Sequence, residues 1–98
     1  MGSTGYLELC RRLVERYARE HLDVTDGETE IKVYIVWYCK TVQNHKALLS
    51  TDLKDGMYYE ITYNGDKKEI YFDAYKKFEN KLIKIEEVEE ILKEVEEQ

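Results

Sequence analysis

The chain has 98 residues, of which 43% are hydrophobic and 37% are charged, and its net charge is −6. A chain of this length forms one domain with a modest core, and no stretch approaches the ~20 apolar residues of a membrane-spanning helix. Residues 84–98 contain seven glutamates and two lysines, so the rest of the chain has a net charge of only −1. The lack of an apolar span predicts no membrane association, and because an acidic tail repels polyanions, binding to long nucleic acids is disfavoured.

Residues 4–22 are predicted to form a helix. Apolar side chains recur there at the i, i+3, i+4 spacing of one helical face, and they are Tyr6, Leu9, Cys10, Leu13 and Tyr17. Four arginines lie on other sides among glutamates, which is typical of a solvated surface, although phosphate or an acidic partner could bind there. We expect residues 1–5 to be a disordered start or an expression-vector remnant, and the polar residues 23–30 to be a loop.

Residues 31–41 are predicted to form the first strand, because they are rich in β-branched and aromatic side chains and alternate cleanly. Strict alternation places Trp37 and Cys39 on one side of this strand. The same alternation places Tyr34 and Tyr38 together on the other side.

Two turn signals divide the next part of the chain. We expect a two-residue turn at Gln43-Asn44 and a longer turn at residues 52–56. The strands that these turns join are predicted to be residues 45–51 and 57–63.

Asn64-Gly65 is the strongest hairpin signal, because a type I′ turn needs positive φ at both central residues. A two-residue turn at this point would place Glu60 opposite Glu69. This pair repels, so we expect a neighbouring lysine, a bound cation or a longer turn to offset the repulsion. A catalytic pair of carboxyl groups is the weaker interpretation.

The C-terminal part is predicted to be a connection followed by a helix. Residues 75–84 are expected to be buried, since they contain Phe78, Leu82 and Ile83. Residues 85–98 are predicted to form an acidic amphipathic helix whose apolar stripe is Val88, Ile91, Leu92 and Val95. The predicted architecture is α+β, a single domain over residues 1–98: an N-terminal helix, a four-stranded antiparallel β-meander and a C-terminal acidic helix.

The chemistry-bearing residues form no catalytic, metal-binding or phosphate-binding motif. Cys10 and Cys39 lack the spacing of metal ligands, and we expect both to be buried as small apolar residues. His21 and His45 are expected to be exposed and uncommitted. The sequence therefore predicts a protein of a reducing cytoplasm that is not an enzyme and holds no cofactor or metal.

The outer face of the sheet is the candidate site. The partner-binding residues that we predict are Tyr34, Tyr38, Tyr58, Tyr71 and Tyr75, with Lys32 and Lys40 at the rim and Val36, Ala47 and Leu49 beside them. Tyrosine supplies a large contact area at low entropic cost and is enriched at interfaces. Three uses stay open: cover by the C-terminal helix, an interface with a second copy or a host protein, or a platform that stacks a small nucleotide.

Four runs of the sequence carry a family resemblance: VWYCKT (residues 36–41), HKALLST (45–51), DGMYYEITYNGDK (55–67) and DAYKKFENK (73–81). They resemble a family of small phage and prophage proteins from Gram-positive hosts, a domain of unknown function, over about residues 6–83. The resemblance implies no catalytic or binding residues. It implies a phage accessory protein in the host bacterial cytoplasm that inhibits or sequesters a host factor, such as one of antiviral defence, by stoichiometric binding. A nucleotide-binding module and an oligomeric structural phage component are the alternatives.

Overall fold

A computed structural model describes residues 2–21 and 30–96 of the protein. In chain order the elements are α1 (Ser3–His21), β1 (Val33–Thr41), β2 (Asn44–Thr51), β3 (Met57–Asn64), β4 (Glu69–Lys76) and α2 (Ile85–Glu96). The strands form one antiparallel sheet in the order β1-β2-β3-β4. The predicted α+β architecture is confirmed. The predicted loop lies, apart from residue 30, outside the described residues, and residues 3–5 belong to the first turn of α1.

α1 packs on one face of the sheet, which we call the helix face. Its fully buried residues recur every four positions and are Tyr6, Cys10, Val14 and Ala18. The predicted stripe missed Val14 and Ala18, while Leu13 and Tyr17 flank the buried row and are only partly buried. Because residues four apart lie above one another on a helix, this row gives α1 one narrow line of contact with the sheet.

The two central strands supply the other half of the core. Ala47 and Leu49 of β2 and Tyr59 and Ile61 of β3 are fully buried against α1. The expectation that Ala47 and Leu49 lie on the outer face is therefore wrong. These two residues pair with β1 residues whose side chains also face the helix. A β-bulge in β1 determines which β1 side chains face the helix.

The β-bulge in β1 reverses the predicted alternation. The register of β1 against β2 shifts between Ile35 and Trp37, which makes Val36 an extra residue. One extra residue turns every later side chain to the opposite face of the sheet. Trp37 and Cys39 therefore lie on the outer face, where Cys39 is exposed, and Tyr38 lies on the helix face.

The β3–β4 turn has four residues rather than two. Asn64 pairs with Glu69. The side-chain Oδ1 of Asn64 accepts hydrogen bonds from the backbone N–H groups of Asp66 at 3.1 Å and Lys67 at 3.2 Å. This local side-chain cap closes the longer turn and competes with the type I′ geometry. The β4 partner of each β3 residue moves by four residues, so that Glu60 lies opposite Asp73 rather than Glu69, and this even shift leaves each β4 side chain on its predicted face.

Gly65 is required by close approach rather than by positive φ. A Cβ at this position would lie 2.8 Å from Cβ of Gln43 in the β1–β2 turn. The Gly65 N–H donates to Oδ1 of Asn44 at 2.9 Å, and the Gln43 side-chain amide donates to Asp66. The two hairpin turns at this end of the sheet are therefore joined to each other.

The C-terminal part of the chain is not packed on the sheet. None of the residues of α2 is buried, and Phe78 and Leu82 of the preceding connection are 98% and 80% exposed. The predicted buried connection is therefore wrong, because residues 77–84 leave the edge strand β4 without returning to the core. The outer face of the sheet is left without a covering helix, and we call it the open face.

The β1–β2 turn places a valine in a strained conformation. The turn residues are Val42-Gln43, and Val42 has a φ of 56°, where a β-branched side chain is rarely found. We expect Val42→Gly to raise the free energy of unfolding by about 1 kcal/mol, because strain of about 1–3 kcal/mol exceeds the ~0.5–1 kcal/mol entropic cost of glycine.

Urea denaturation measures this change, and Gln43→Gly is the matched control. Gln43 has no positive φ, and its side chain contacts Asp66, so the glycine there should lower stability. A loss of stability in Val42→Gly would contradict the turn conformation.

The buried hydroxyl of Tyr59 predicts a loss of stability at alkaline pH. It has no hydrogen-bond partner among the described residues, and burial, with smaller contributions from Asp55 and Tyr17, raises the pKa of Tyr59 from 10.0 to about 12. Between these values the unfolded chain releases a proton that the folded chain keeps, so stability falls as pH rises from about 10 to about 12.

Tyr59→Phe should make this fall shallower and leave stability at neutral pH equal or higher, because an unpaired buried hydroxyl is removed. Guanidinium denaturation across the alkaline range measures both effects. An unchanged alkaline slope in the variant would show that Tyr59 does not titrate in this way.

Candidate functional site

The open face carries an aromatic surface. Its members are Tyr34 and Trp37 of β1, Tyr58 of β3, and Tyr71 and Tyr75 of β4. Three of these tyrosines lie on one line across the sheet, because Ser50 of β2 pairs with both Tyr34 and Tyr58, and Tyr58 pairs with Tyr75. All except the half-buried Tyr58 are exposed, and Tyr71 has 54% of its surface exposed.

A small charged group lies in the middle of this surface. Lys46 Nζ is 3.0 Å from Oε1 of Glu60, which raises the pKa of the Lys46 amine. Glu60 pairs with Asp73 across the β3–β4 ladder. The predicted pair of Glu60 with Glu69 does not form, because the longer turn shifts the register; Glu60 lies opposite Asp73 instead, and Lys46 offsets the repulsion between these two carboxylates.

Polar contacts also fix the rim of the open face. The Tyr71 hydroxyl donates to Oε2 of Glu69 at 2.7 Å, and this hydrogen bond raises the pKa of Tyr71. Lys77 Nζ lies 5.8 Å from the centre of the Tyr58 ring, a cation–π distance. The aromatic rings thus retain exposed surface while their orientation is restrained from the edge.

Tyr38 was predicted to lie on this face as a partner-binding residue, and its predicted placement is wrong, because it lies on the helix face. Its hydroxyl donates to Oγ of Ser3 at 2.9 Å and lies 2.5 Å from Nδ1 of His45. Its ring is 5.8 Å from the ring of Tyr6. Tyr38 therefore joins the start of α1 to the sheet, because the bulge turned it to the helix face.

Both histidines were expected to be exposed, and this is wrong for His45 and confirmed for His21. His45 is 2% exposed, and its ring stacks on Tyr6 with 4.7 Å between centres. His21 is exposed and stacks on Tyr17 at 4.4 Å. His45 is a core residue of the fold, since its strand position places it directly under the first turns of α1.

The two predicted rim lysines lie at different places. Lys32 is exposed just before β1, where its backbone N–H donates to Oδ1 of Asp52 at 3.1 Å. Lys40 pairs with His45, so it lies on the helix-face side of the sheet and not at the rim of the open face. The bulge that moved Tyr38 also moved Lys40.

The arginines of α1 are paired with glutamates on the same helix. The three shortest pairs are Arg12 with Glu8 at 3.1 Å, Arg16 with Glu20 at 3.1 Å and Arg19 with Glu15 at 3.2 Å. Pairs of this kind, with i, i+4 spacing, contribute only a few tenths of a kcal/mol each. They agree with the interpretation of a solvated helix surface.

The comparison with family profiles identifies the chain. The profile of a family of unknown function, DUF6275, matches residues 7–85. The chain belongs to this family. The DUF6275 region covers most of α1 and the whole sheet, and it ends at the first residue of α2. No curated protein and no solved structure matches the chain.

The DUF6275 region also has a groove between α1 and the edge strand β4. It measures about 430 Å³, and its apolar lining is formed by Leu9, Leu13, Tyr17, Ile70 and Phe72. The helical stripe predicted Leu9 and Leu13 as core residues. They line a groove because α1 lies nearer to β1 and β2 than to β4.

The described residues show no metal site and no membrane span. In residues 2–21 and 30–96, no three His, Cys, Asp or Glu residues are grouped so that they could hold a metal ion. No described helix has both the length and the apolar composition to cross a membrane.

Tyrosines on the two faces should respond differently to loss of the hydroxyl. Tyr38→Phe removes the bonds to Ser3 and His45 in a partly buried site, so we expect it to lower the free energy of unfolding by about 1–2 kcal/mol. Tyr71→Phe removes one exposed bond to Glu69, so it should change stability by less than about 0.5 kcal/mol. Urea denaturation of the two variants tests this; equal losses would contradict the assignment of faces.

Proposed function

We propose that this member of the DUF6275 family is a non-enzymatic binding protein whose open face docks on a partner protein. The observation that carries the proposal is that neither α1 nor α2 covers the five aromatic residues of this face. Large, rigid aromatic side chains form the energetic centres of protein interfaces, and clusters of them are seldom left uncovered. Tyr34, Tyr58, Tyr71 and Tyr75 keep their predicted role, and Trp37 replaces Tyr38.

The charges of the open face favour a protein over a nucleic acid. Glu60, Glu69 and Asp73 lie on this face with Lys46, and Glu60 already engages that lysine. A phosphate backbone would meet net negative charge at the centre of the aromatic surface, which opposes the counterion-driven term of nucleic-acid binding. A protein surface with apolar pockets and a basic residue near Glu60 or Asp73 fits this pattern.

The resemblance seen in the sequence suggests the biological setting. Because the sequence resembles phage and prophage proteins of Gram-positive hosts, the proposed partner is a host protein and the proposed location is the host bacterial cytoplasm. The mechanism is occlusion: the open face covers a functional surface of a host factor, such as one of antiviral defence. Stoichiometric binding is sufficient for this mechanism, and no chemical step is needed.

Affinity capture with a matched variant tests the proposal. The tagged protein and Tyr71→Ala with Tyr75→Ala are incubated with a lysate of a Gram-positive bacterium, and mass spectrometry identifies the retained proteins. We expect one stoichiometric host protein on the parent chain. We expect about a 100-fold loss of affinity in the variant, since each exposed interface tyrosine contributes on the order of 1–2 kcal/mol.

The control is Arg12→Ala with Arg16→Ala, which changes the exposed surface of α1 on the other side of the molecule. It should retain the partner, and the melting temperatures of all three chains should stay within a few degrees. A partner retained equally by the tyrosine variant would show that the open face does not bind it.

The nucleotide-stacking alternative is tested with the same variant. Trp37 is the only tryptophan, and it lies on the open face, so its fluorescence reports a base that stacks there. A saturable change with mononucleotides that weakens with salt and disappears in the tyrosine variant would favour the nucleotide-binding module.

A further inference from the structure

The C-terminal arm, which we define as residues 77–96, exposes an apolar stripe along its whole length. Phe78, Leu82 and Ile83 are exposed in the connection, and Ile91, Leu92 and Val95 are exposed in α2. In the arm only Val88 is even partly buried. The stripe of α2 has the i, i+3, i+4, i+7 spacing of a helix that packs against something.

α2 needs a partner in order to be stable. It has twelve residues, and isolated helices of that length are marginal in water, because most helical stability comes from the packing of an amphipathic face. Repulsion on its own surface lowers the stability of α2, since Glu90 has a like charge four residues away on each side, at Glu86 and Glu94. Within residues 2–21 and 30–96, α2 packs against nothing that buries any of its residues.

The area of the chain indicates how much surface is left to cover. The accessible surface is 7674 Å², whereas a folded monomer of 11.8 kDa exposes about 5,900 Å². The excess of about 1,800 Å² is larger than the ~800 Å² that each partner buries in an interface of standard size. The radius of gyration is 17.9 Å, whereas a compact chain of this length has a radius of about 13 Å. The larger radius agrees with the excess of exposed surface.

The charges of the arm identify the partner. Residues 77–84 contain three lysines and one glutamate, a net charge of +2, while residues 85–96 contain six glutamates and one lysine, a net charge of −5. The two halves follow each other directly in one chain. If the arms of two copies pair antiparallel about a two-fold axis, the basic half of each arm lies beside the acidic half of the other.

We propose that the C-terminal arm binds the C-terminal arm of a second copy of this chain, antiparallel and across a two-fold axis. Such an isologous contact is self-complementary: Phe78 and Leu82 of one copy pack on the stripe of α2 of the other, and lysines flank glutamates on both sides. Pairing of α2 with α2 alone would bring together two helices of net charge −5, so the connection must take part.

This dimer goes beyond the proposed function, because the arm contains none of the five aromatic residues of the open face and touches that face only through Lys77. A dimer joined through the arms carries two open faces. A partner with two copies of its own site would therefore be bound with avidity.

Light scattering after size-exclusion chromatography, over a concentration series of the full chain, tests the proposal. We expect the mass to rise towards twice 11.8 kDa with concentration. Ile91→Asp with Leu92→Asp should weaken dimerisation at least about 100-fold, since it places two charges in the apolar contact. Because neither residue is buried within the chain, the melting temperature of the dilute monomer should stay the same.

Charge reversal supplies a second test that does not depend on the apolar stripe. Lys81→Glu with Lys84→Glu should weaken the dimer by bringing acidic residues to both halves, and the further changes Glu87→Lys with Glu94→Lys should restore it. The control is Tyr71→Ala with Tyr75→Ala, which should dimerise as the parent chain does.

Three results would overturn the proposal. One is a monomer at every concentration of the parent chain. Another is a dimer that survives Ile91→Asp with Leu92→Asp but is lost in the tyrosine control, which would assign the dimer to the open face. The third is a lower melting temperature of the dilute aspartate variant, which would show that α2 packs on its own sheet.

Discussion

Tyr6 donates its hydroxyl proton to the backbone carbonyl of Ile61 in β3, and its ring stacks on His45 in β2, so the first turns of α1 are joined to two adjacent strands. The ring is fully buried, and burial raises the pKa of Tyr6 far above its usual range. Tyr38 and Tyr63 lie around the same ring. Because this contact fixes α1 over one face of the sheet, it also determines which aromatic residues remain exposed on the other.

The order of the elements and the pairing of neighbouring strands could be predicted for two reasons. Apolar residues recur about every 3.6 residues in the helices and every 2 residues in the strands, and turn residues separate the strands. The bulge at Val36 could not be predicted, since residues 34–38 are all aromatic or β-branched and fit either face of a sheet. Its consequence is the exchange of Tyr38 for Trp37 on the open face. The error in the turn after Asn64 had no such effect, because a register shift of four residues keeps the alternation.

Among the described residues, the open face and the apolar stripe of α2 are both left uncovered, and they differ in chemistry. The open face lies within the DUF6275 region and combines aromatic rings with the Lys46–Glu60 pair at its centre. α2 lies beyond the family match apart from Ile85, and it combines an aliphatic stripe with dense negative charge. The amphipathic pattern of α2 predicted that its stripe must pack. Where it packs could not be predicted, because periodicity describes one surface and carries no information about the complementary one.

Tyrosine nitration followed by peptide mapping tests most directly the central claim, that α1 covers one face of the sheet and leaves the aromatic surface of the other exposed. In the dilute protein, tetranitromethane should modify the tyrosines of the open face, above all Tyr34, Tyr71 and Tyr75. Tyr6, Tyr38 and Tyr59 should be protected until the protein unfolds. Nitration of Tyr38 as fast as that of Tyr71 would contradict the bulge and the assignment of faces. Protection of Tyr71 and Tyr75 in the monomer would show that the open face is covered.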